Sequence, residues 1–418
     1  MKQAALLGFL SAANIGMAFL SQWYVVTAIG AGPETDALFA GMALPQLVLA
    51  VIGGSLTHVL VPILSGESTE RRRHDAWGFF LLVGGFFGAL AGLLHVGAPY
   101  WVPLTVPGFG ADTLALTINL VQIQLIGMVF AALNGVQWAA YHAQQKFVWA
   151  EIASLLSGVI SIALLIWALP IYGVVAAAWI ASLRMGLQTA LLTSSMGAPM
   201  LPDLHAQSIR VAWRRVKPLL FGTLYYKSEP VIDRYLLSSA PNATLSLYYL
   251  AQQIYAAGNQ VINKALAAPF VPLLSSLYKS GNDVAVRRAA RRKLMEVTGL
   301  GMAGILFIAL AGREVIDLLF GHGRMTSENV SDLWWIMLWL AGMFIGGVAG
   351  QISSTVFYAA GDTVTPTRMS IITYTVYIPG KIFAFQMWGT QGLALTTSAY
   401  FLVNLLVQVR ILRTRNML

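Results

Sequence analysis

Apolar positions along the chain fall in long unbroken runs rather than in the strict alternation of half-buried strands. A hydrocarbon core of ~30 Å takes roughly 20 helical residues. Runs of about that length, cut by polar residues or by Gly and Pro, predict twelve membrane-spanning helices. They lie at residues 4–29, 37–65, 76–98, 112–141, 149–169, 173–196, 217–239, 243–275, 294–318, 333–358, 366–386 and 391–412. The fifth and sixth part at the turn Pro170-Ile171-Tyr172-Gly173, and the seventh is the most heavily charged. The first run begins just after Lys2 and outlasts the roughly 7–15 apolar residues of a cleavable signal, so it reads as a span.

The runs repeat. Val61-Pro62-Ile63-Leu64-Ser65 and Val271-Pro272-Leu273-Leu274-Ser275 each close a span ahead of a basic loop, 210 residues apart. Ala140-Tyr141-His142-Ala143 and Phe357-Tyr358-Ala359-Ala360 lie 217 apart, and Tyr172-Gly173-Val174 and Gln391-Gly392-Leu393 lie 219 apart. Three matches in order predict two six-helix lobes, 1–200 and 217–418, joined by a cytoplasmic linker at 201–216. Two halves in one orientation make a parallel repeat about an axis along the membrane normal, a plan common in transporters with a substrate path between the halves. A channel and a scaffold of duplicated bundles share that plan.

Composition narrows the class. Hydrophobic residues make up 57% of the chain and charged residues 10%, with a mean hydropathy of +0.69. Soluble domains carry about 25% charge, so a cytosolic enzyme, a secreted domain and a disordered chain are excluded. The net charge of +9 sorts by side of the membrane instead of pointing to nucleic acid. With the N-terminus in the cytoplasm, 19 of the 26 Lys and Arg fall in cytoplasmic segments, and only Arg313 and Arg324 fall opposite. That is the positive-inside rule, and it expects both termini in the cytoplasm of a multi-pass protein. There is no Cys, the six His are dispersed, and no Gly-rich loop ends in Lys-Ser/Thr. No metal, cofactor or nucleotide engine is therefore expected. The chain reads as a transporter rather than an enzyme, driven by an ion gradient, the membrane potential or its substrate gradient. Gly84, Gly88 and Gly92, like Gly342, Gly346 and Gly350, recur every four residues and predict close helix packing.

Five basic residues remain inside spans: Arg184, Lys227, Arg234, Lys264 and Lys381. A charge at the helix centre costs roughly 2.5–3.5 kcal/mol or more, so each wants a wet cavity or a partner. In span 7, about 100° per residue sets Glu229 and Asp233 on one face and Lys227 and Arg234 on another. Two readings follow. The charges form interhelical ion pairs, or the basic stripe faces an anionic substrate while the acidic stripe faces a cation or a lysine. On the second reading Arg184, Lys227, Arg234 and Lys264 line one cavity between the lobes and meet a phosphate group, which suits the donor fork of Arg.

Several segments then resemble one family. Gly30-Ala31-Gly32-Pro33-Glu34-Thr35-Asp36, Leu44-Pro45-Gln46-Leu47, Val106-Pro107-Gly108-Phe109-Gly110, Leu318-Leu319-Phe320-Gly321-His322-Gly323-Arg324 and Phe357-Tyr358-Ala359-Ala360-Gly361-Asp362 are similar, in order, to the MurJ/MviN lipid II flippases. The resemblance implies the multidrug/oligosaccharidyl-lipid/polysaccharide exporter superfamily: an all-α polytopic fold of two six-helix lobes with alternating access. It also implies a bacterial inner-membrane flippase that acts as a monomer among membrane lipids on an undecaprenyl-diphosphate-linked glycan, either lipid II or a related envelope precursor. A multidrug-type cation antiporter of the same superfamily is the alternative. It calls for an acidic cavity, whereas the mid-span charges here are net basic.

The family's span 1 arginines and aspartate fall on Ile15, Ser21 and Gln22, its span 2 arginines on Leu49 and Ala50, and its span 8 arginine near Gln252 and Gln253. The cationic set has thus moved to spans 6, 7 and 8, with Gln252 and Gln253 left as substrate contacts. The resemblance further gives Asp36 and Glu229 a gating or coupling role. It also aligns Asp233, Lys381 and Thr397 with a sodium site held by some members, with Tyr377 one turn before Lys381. It implies that Lys381 stands in for the ion, contacts Asp233 and removes the sodium requirement. The alternative is that Lys381 snorkels to the outer interface.

Overall fold

The computed structural model describes residues 2–65, 68–193, 196–200, 208–214, 225, 227–267 and 269–418, with backbone alone at 2–5 and 52–58. All regular structure among these residues is helical. The helices are α1 Lys2–Ile29, α2 Pro33–Gly41, α3 Ala43–Leu64, α4 Thr69–Thr105, α5 Ala111–Ala143, α6 Phe147–Thr193, α7 Glu229–Leu237, α8 Thr244–Ile262, α9 Phe270–Lys279, α10 Asp283–Phe320, α11 Ser327–Trp339, α12 Ala341–Ala359 and α13 Val364–Thr414.

α6 and α13 run for 47 and 51 residues. As straight helices they would be about 70 and 76 Å long, over twice the ~30 Å core. Each is instead broken at a glycine, Gly173 (φ 58°, ψ −147°) and Gly389 (φ 57°, ψ −139°), a conformation that a Cβ disfavours. α13 folds back on itself. The Tyr377 hydroxyl lies 2.8 Å from Thr397 Oγ1, and Asn404 Nδ2 lies 3.4 Å from Ser370 Oγ. A straight helix would hold those pairs about 30 and 51 Å apart. In α6, Ala150 and Ala153 of the first arm pack with Leu192 of the second. Both elements are hairpins of two spans, as the turn at Pro170–Gly173 predicted for the first.

Among the described residues, nine apolar segments are long enough to cross a membrane when the bent α11–α12 pair counts as one, and opening the two hairpins makes eleven crossings. Within the expected span 217–239, residues 217–224 and 226 lie outside the described residues, and α7 forms its later part. Two expected spans are interrupted. Span 37–65 breaks at Met42 into α2 and α3, because Pro45 lacks an N–H and its ring crowds the carbonyl of residue 41. Span 243–275 opens into a wider π turn over Asn263–Ala267, where Pro269 crowds the carbonyl of residue 265.

The repeat is plainer in the backbone than in the sequence. Both α5 and α12 end in the same paired-carbonyl cap. Lys146 N donates to Tyr141 O and Gln145 N to His142 O; Asp362 N donates to Phe357 O and Gly361 N to Tyr358 O. Gln145 and Gly361 are both left-handed, at φ 57° and 81°. Ser182 Oγ donates to Ile123 O at 2.9 Å, and Ser398 Oγ donates to Trp339 O at 2.6 Å. Every one of these pairs, like Gly173 and Gly389, is 216 residues apart. The offsets of 217 and 219 read from sequence are thus corrected to a single 216, and Gly173 pairs with Gly389 rather than with Gly392.

The described residues form two compact units, Met1–Leu245 and Ser246–Leu418. The repeat puts the residues from 217 onward in the second half of the sequence, yet α7 packs on α3 and α4 and belongs to the first unit. Lipid gives apolar side chains little drive to associate, so packing and interhelical hydrogen bonds hold such helices together. α5 is tied to the second arm of α6 by Gln137 Nε2 to Thr189 O (3.1 Å), Asn134 Nδ2 to Met185 O (3.2 Å) and Tyr141 Oη to Leu192 O (2.6 Å). α1 is tied to the first arm by Ser11 Oγ and Asn14 Nδ2, each 2.6 Å from a Glu151 carboxylate oxygen. Of the glycine stripes, Gly84 packs on Leu133, and Gly342 and Gly346 pack on Ser398 and Phe401. Gly88, Gly92 and Gly350 face open space.

Candidate functional site

In the first unit, α1, α2 and the two arms of α6 enclose a cavity of about 160 Å³, lined by Ser21, Gln22, Phe39, Ser161, Leu165 and Arg184, among others. Arg184 stands on the second arm and is half-buried. Its guanidinium lies over Gly158: a Cβ placed there would be 3.5 Å from Arg184 Nη2. Arg184 Nε is buried and has no hydrogen-bond partner, and no described carboxylate pairs with the side chain. A guanidinium held in a span without a counter-charge is costly, and the fork points donors that an anion can take. Ser21 and Gln22, where the resembled family carries charge, line this same cavity.

A second cluster holds α7 and the turn after it. Arg234, 4% exposed, donates from Nη1 to Pro230 O at 3.0 Å and from Nε to Phe39 O at 3.4 Å. It sits among α2, α3, α4 and α5 in a void of only about 10 Å³. Gly108 N donates to Ser238 Oγ at 3.1 Å, and a Cβ on Gly108 would fall 2.5 Å from Ser238 O, so only glycine permits this approach. Asp36, buried at 4%, accepts from Ala243 N on Oδ2 at 2.8 Å. Ala243 is held at φ 75°, a left-handed conformation that costs a residue with a Cβ roughly 1–2 kcal/mol.

Arg184 lines the larger cavity and Arg234 the small void. Lys227 and Lys264 are exposed, and Gln252 and Gln253 are half-buried on α8. Glu229 is half-buried at the start of α7, and Asp233 is buried.

In the second unit Lys381 does not snorkel. It is 1% exposed, with Nζ 4.8 Å from the centroid of the Tyr377 ring, an attraction between cation and π-face. Thr397 Oγ1 donates to Leu393 O at 2.9 Å. Having one proton to give, it accepts from the hydroxyls of Tyr377 (2.8 Å) and Tyr248 (3.2 Å). Tyr400 stacks on Tyr377 at 4.5 Å and meets Tyr374 at 6.0 Å. Sequence reasoning named Lys381, Tyr377 and Thr397 but missed Tyr248, Tyr374 and Tyr400, Gly108, Ser238 and Ala243. The tyrosines recur at helical spacing in Tyr374-Thr375-Val376-Tyr377, the one signal available. No group of three or more His, Cys, Asp or Glu is placed to hold a metal among the described residues.

The sequence profile of the family described as Lipid II flippase MurJ matches residues 25–418. The probable lipid II flippase MurJ of Bdellovibrio bacteriovorus is 21% identical over 399 residues, which cover 91% of this chain and 76% of that protein. That of Buchnera aphidicola is 20% identical over 425 residues, 96% of this chain and 81% of that one. Among solved structures, a lipid II flippase MurJ matches with a TM-score of 0.85 at 16% identity, covering 99% of this chain and 89% of that chain. A multidrug resistance MATE family transporter of the MOP superfamily matches with a TM-score of 0.81 at 16% identity, covering 97% and 94%. These two likenesses establish the fold.

Proposed function

The chain belongs to the lipid II flippase MurJ family of multi-pass membrane transporters, and on that premise we propose that it carries lipid II, an undecaprenyl-diphosphate-linked glycan, from the inner to the outer leaflet by alternating access. The observation that carries the substrate reading is Arg184: a half-buried cation without a counter-charge among the described residues, lining a cavity in a membrane span. It supplies donors to the diphosphate. Lys227 and Lys264, exposed on the chain, and Gln252 and Gln253 add contacts as the cargo passes. Arg234 acts through position instead, holding α7 by carbonyl oxygens. The cluster of Asp36, Ala243, Gly108 and Ser238 is the gate on the face opposite the termini, which lie in the cytoplasm. Two six-helix lobes joined at 201–216 provide the alternating access, and the chain works as a monomer. Lys381 contacts Asp233 and fills the role of a coupling cation, with Glu229 beside it on the acidic face.

The test is reconstitution in vesicles containing a lipid-diphosphate-linked sugar. Arg184→Ala is expected to lower binding and transport at least tenfold, since a hydrogen bond to a charged group contributes about 1.5–3 kcal/mol, with partial retention in Arg184→Lys. Wild-type rates in Arg184→Ala, with the protein folded, reject the assignment.

A further inference from the structure

We infer that the second unit holds a separate, uncharged pocket for the neutral sugar part of the cargo, an inference that rests on the flippase reading above. A cavity of about 220 Å³ opens beside the π turn and is lined by Asn259, Gln260, Asn263, Val297, Gly347 and Gln351, among others. Four of these are carboxamides, brought together from α8, the π turn and α12. Among the described residues none of the four makes a side-chain hydrogen bond, and Asn259 Oδ1 is buried without a partner. Gln260, Asn263 and Gln351 are exposed.

Polar side chains at this depth do not face hydrocarbon; they face water or a ligand. A buried amide oxygen without a partner is destabilising, and an incoming donor recovers that loss. No charged residue lines the pocket among the described residues, so it offers a diphosphate nothing that Arg184 does not offer better. Carboxamides both donate and accept, the pattern that sugar hydroxyls and acetamido groups present in return. Val297 and Ile352 add apolar lining beside the carboxamides, against which the C–H groups of a sugar can rest. The π turn widens the helix at the pocket's edge, and Gly347 leaves room for the Asn259 amide: a Cβ there would stand 2.9 Å from Asn259 Nδ2.

The experiment measures binding to the full chain in nanodiscs of two lipids, undecaprenyl diphosphate carrying one N-acetyl sugar and undecaprenyl diphosphate alone. Wild type is expected to prefer the sugar-bearing lipid. Asn259→Ala with Gln351→Ala is expected to weaken the sugar-bearing lipid about tenfold, the loss of two neutral hydrogen bonds, and to leave the bare lipid unchanged. Gly347→Ala, which displaces the Asn259 amide without removing it, is expected to act in the same direction and more weakly. Arg184→Ala is expected to weaken both lipids. Equal wild-type affinity for the two lipids, or cavity variants that weaken both alike or neither, overturns the pocket and spares the flippase reading. Wild type that binds neither lipid overturns both.

Discussion

The two broken hairpins, α6 in the first unit and α13 in the second, hold the same place in the repeat and treat a buried cation in opposite ways. At the 216-residue offset, Gly158, Ser161, Ala181 and Arg184 of α6 correspond to Tyr374, Tyr377, Thr397 and Tyr400 of α13, and Leu165 corresponds to Lys381. In α13 the three rings contact one another, and Thr397 binds the hydroxyl of the middle one. The space between the arms is full, and Lys381 is sealed at 1% exposure. In α6 the small Ser161 and Ala181 line a cavity instead, and the guanidinium of Arg184 reaches across Gly158. One scaffold has been kept twice. Side-chain volume at three equivalent positions decides whether its inter-arm space is left open as a cavity or filled.

The most damaging way to break this difference is to give the first hairpin the filling of the second. Ser161→Tyr puts a ring where Tyr377 stands in α13. Binding of undecaprenyl diphosphate is expected to be lost, and overpacking is expected to cost about 1–3 kcal/mol of stability. Wild-type affinity in a folded Ser161→Tyr protein, measured in nanodiscs, would show that the cavity does not take the lipid. Lys381→Ala breaks the other side. The proposed contact with Asp233 then lacks its cation, so transport is expected to fall several-fold without sodium and to recover when sodium is added, whereas wild type is indifferent to the ion. A wild type that stops when sodium is removed refutes the substitution of Lys381 for an ion.

These two hairpins also show what a sequence discloses. The spans were legible because lipid demands apolar runs of fixed length, and the break at Gly173 was legible from Pro170 and the glycine. Lys381 and Arg184 stood out because charge is rare in spans. Their surroundings did not. Whether Arg184 faces a cavity or Arg234 a set of carbonyls depends on neighbours from α2 and α4, far along the chain, and a helical wheel of α7 alone cannot supply them. The register of the repeat was misread by one and three residues, because short apolar matches slide freely over Ala, Val and Leu. Hydrogen-bonded caps and left-handed residues do not slide. Tyr248 and Ala243 were missed for a related reason: each has its role from one distant partner, Thr397 and Asp36.

A milder change sharpens the comparison at the foot of the hairpins. Tyr141, 1% exposed, donates its hydroxyl to Leu192 O at 2.6 Å. Its counterpart in the second unit is Phe357, equally buried at 0% and without a hydroxyl. Tyr141→Phe therefore makes the first unit like the second. Single interhelical hydrogen bonds in membrane proteins average about 0.6 kcal/mol, so the unfolding midpoint is expected to drop by a degree or two with transport retained. A loss above about 2 kcal/mol would mean that the bond holds the arm in register rather than merely adding to its packing.

The smallest effect belongs to the entry of the hairpins, where the repeat places Lys146 before α6 and Asp362 before α13. Asp362 Oδ1 accepts from Val364 N at 3.1 Å and Thr365 N at 2.9 Å, capping the first turn of α13. Its Oδ2 takes Arg415 Nη1 at 2.6 Å, and Arg415 Nη2 reaches Thr365 Oγ1 at 3.2 Å, joining the two ends of the hairpin. A lysine can do neither. The hydrogen bonds from Thr365, with the Arg415 bond and charge behind them, pull the carboxyl down to about 2. A depressed carboxyl contributes stability that is fully present above its unfolded value of about 3.9 and is lost as pH falls through the folded value. Asp362→Asn is therefore expected to be less stable than wild type at neutral pH by a small margin, because the site is open to water and salt screens it. That margin is expected to close between about pH 4 and pH 2. Thermal unfolding of both proteins across that range reads it directly; a margin that stays constant with pH, or that widens on acidification, would assign the Asp362 contribution to its amide-accepting geometry alone and not to its charge.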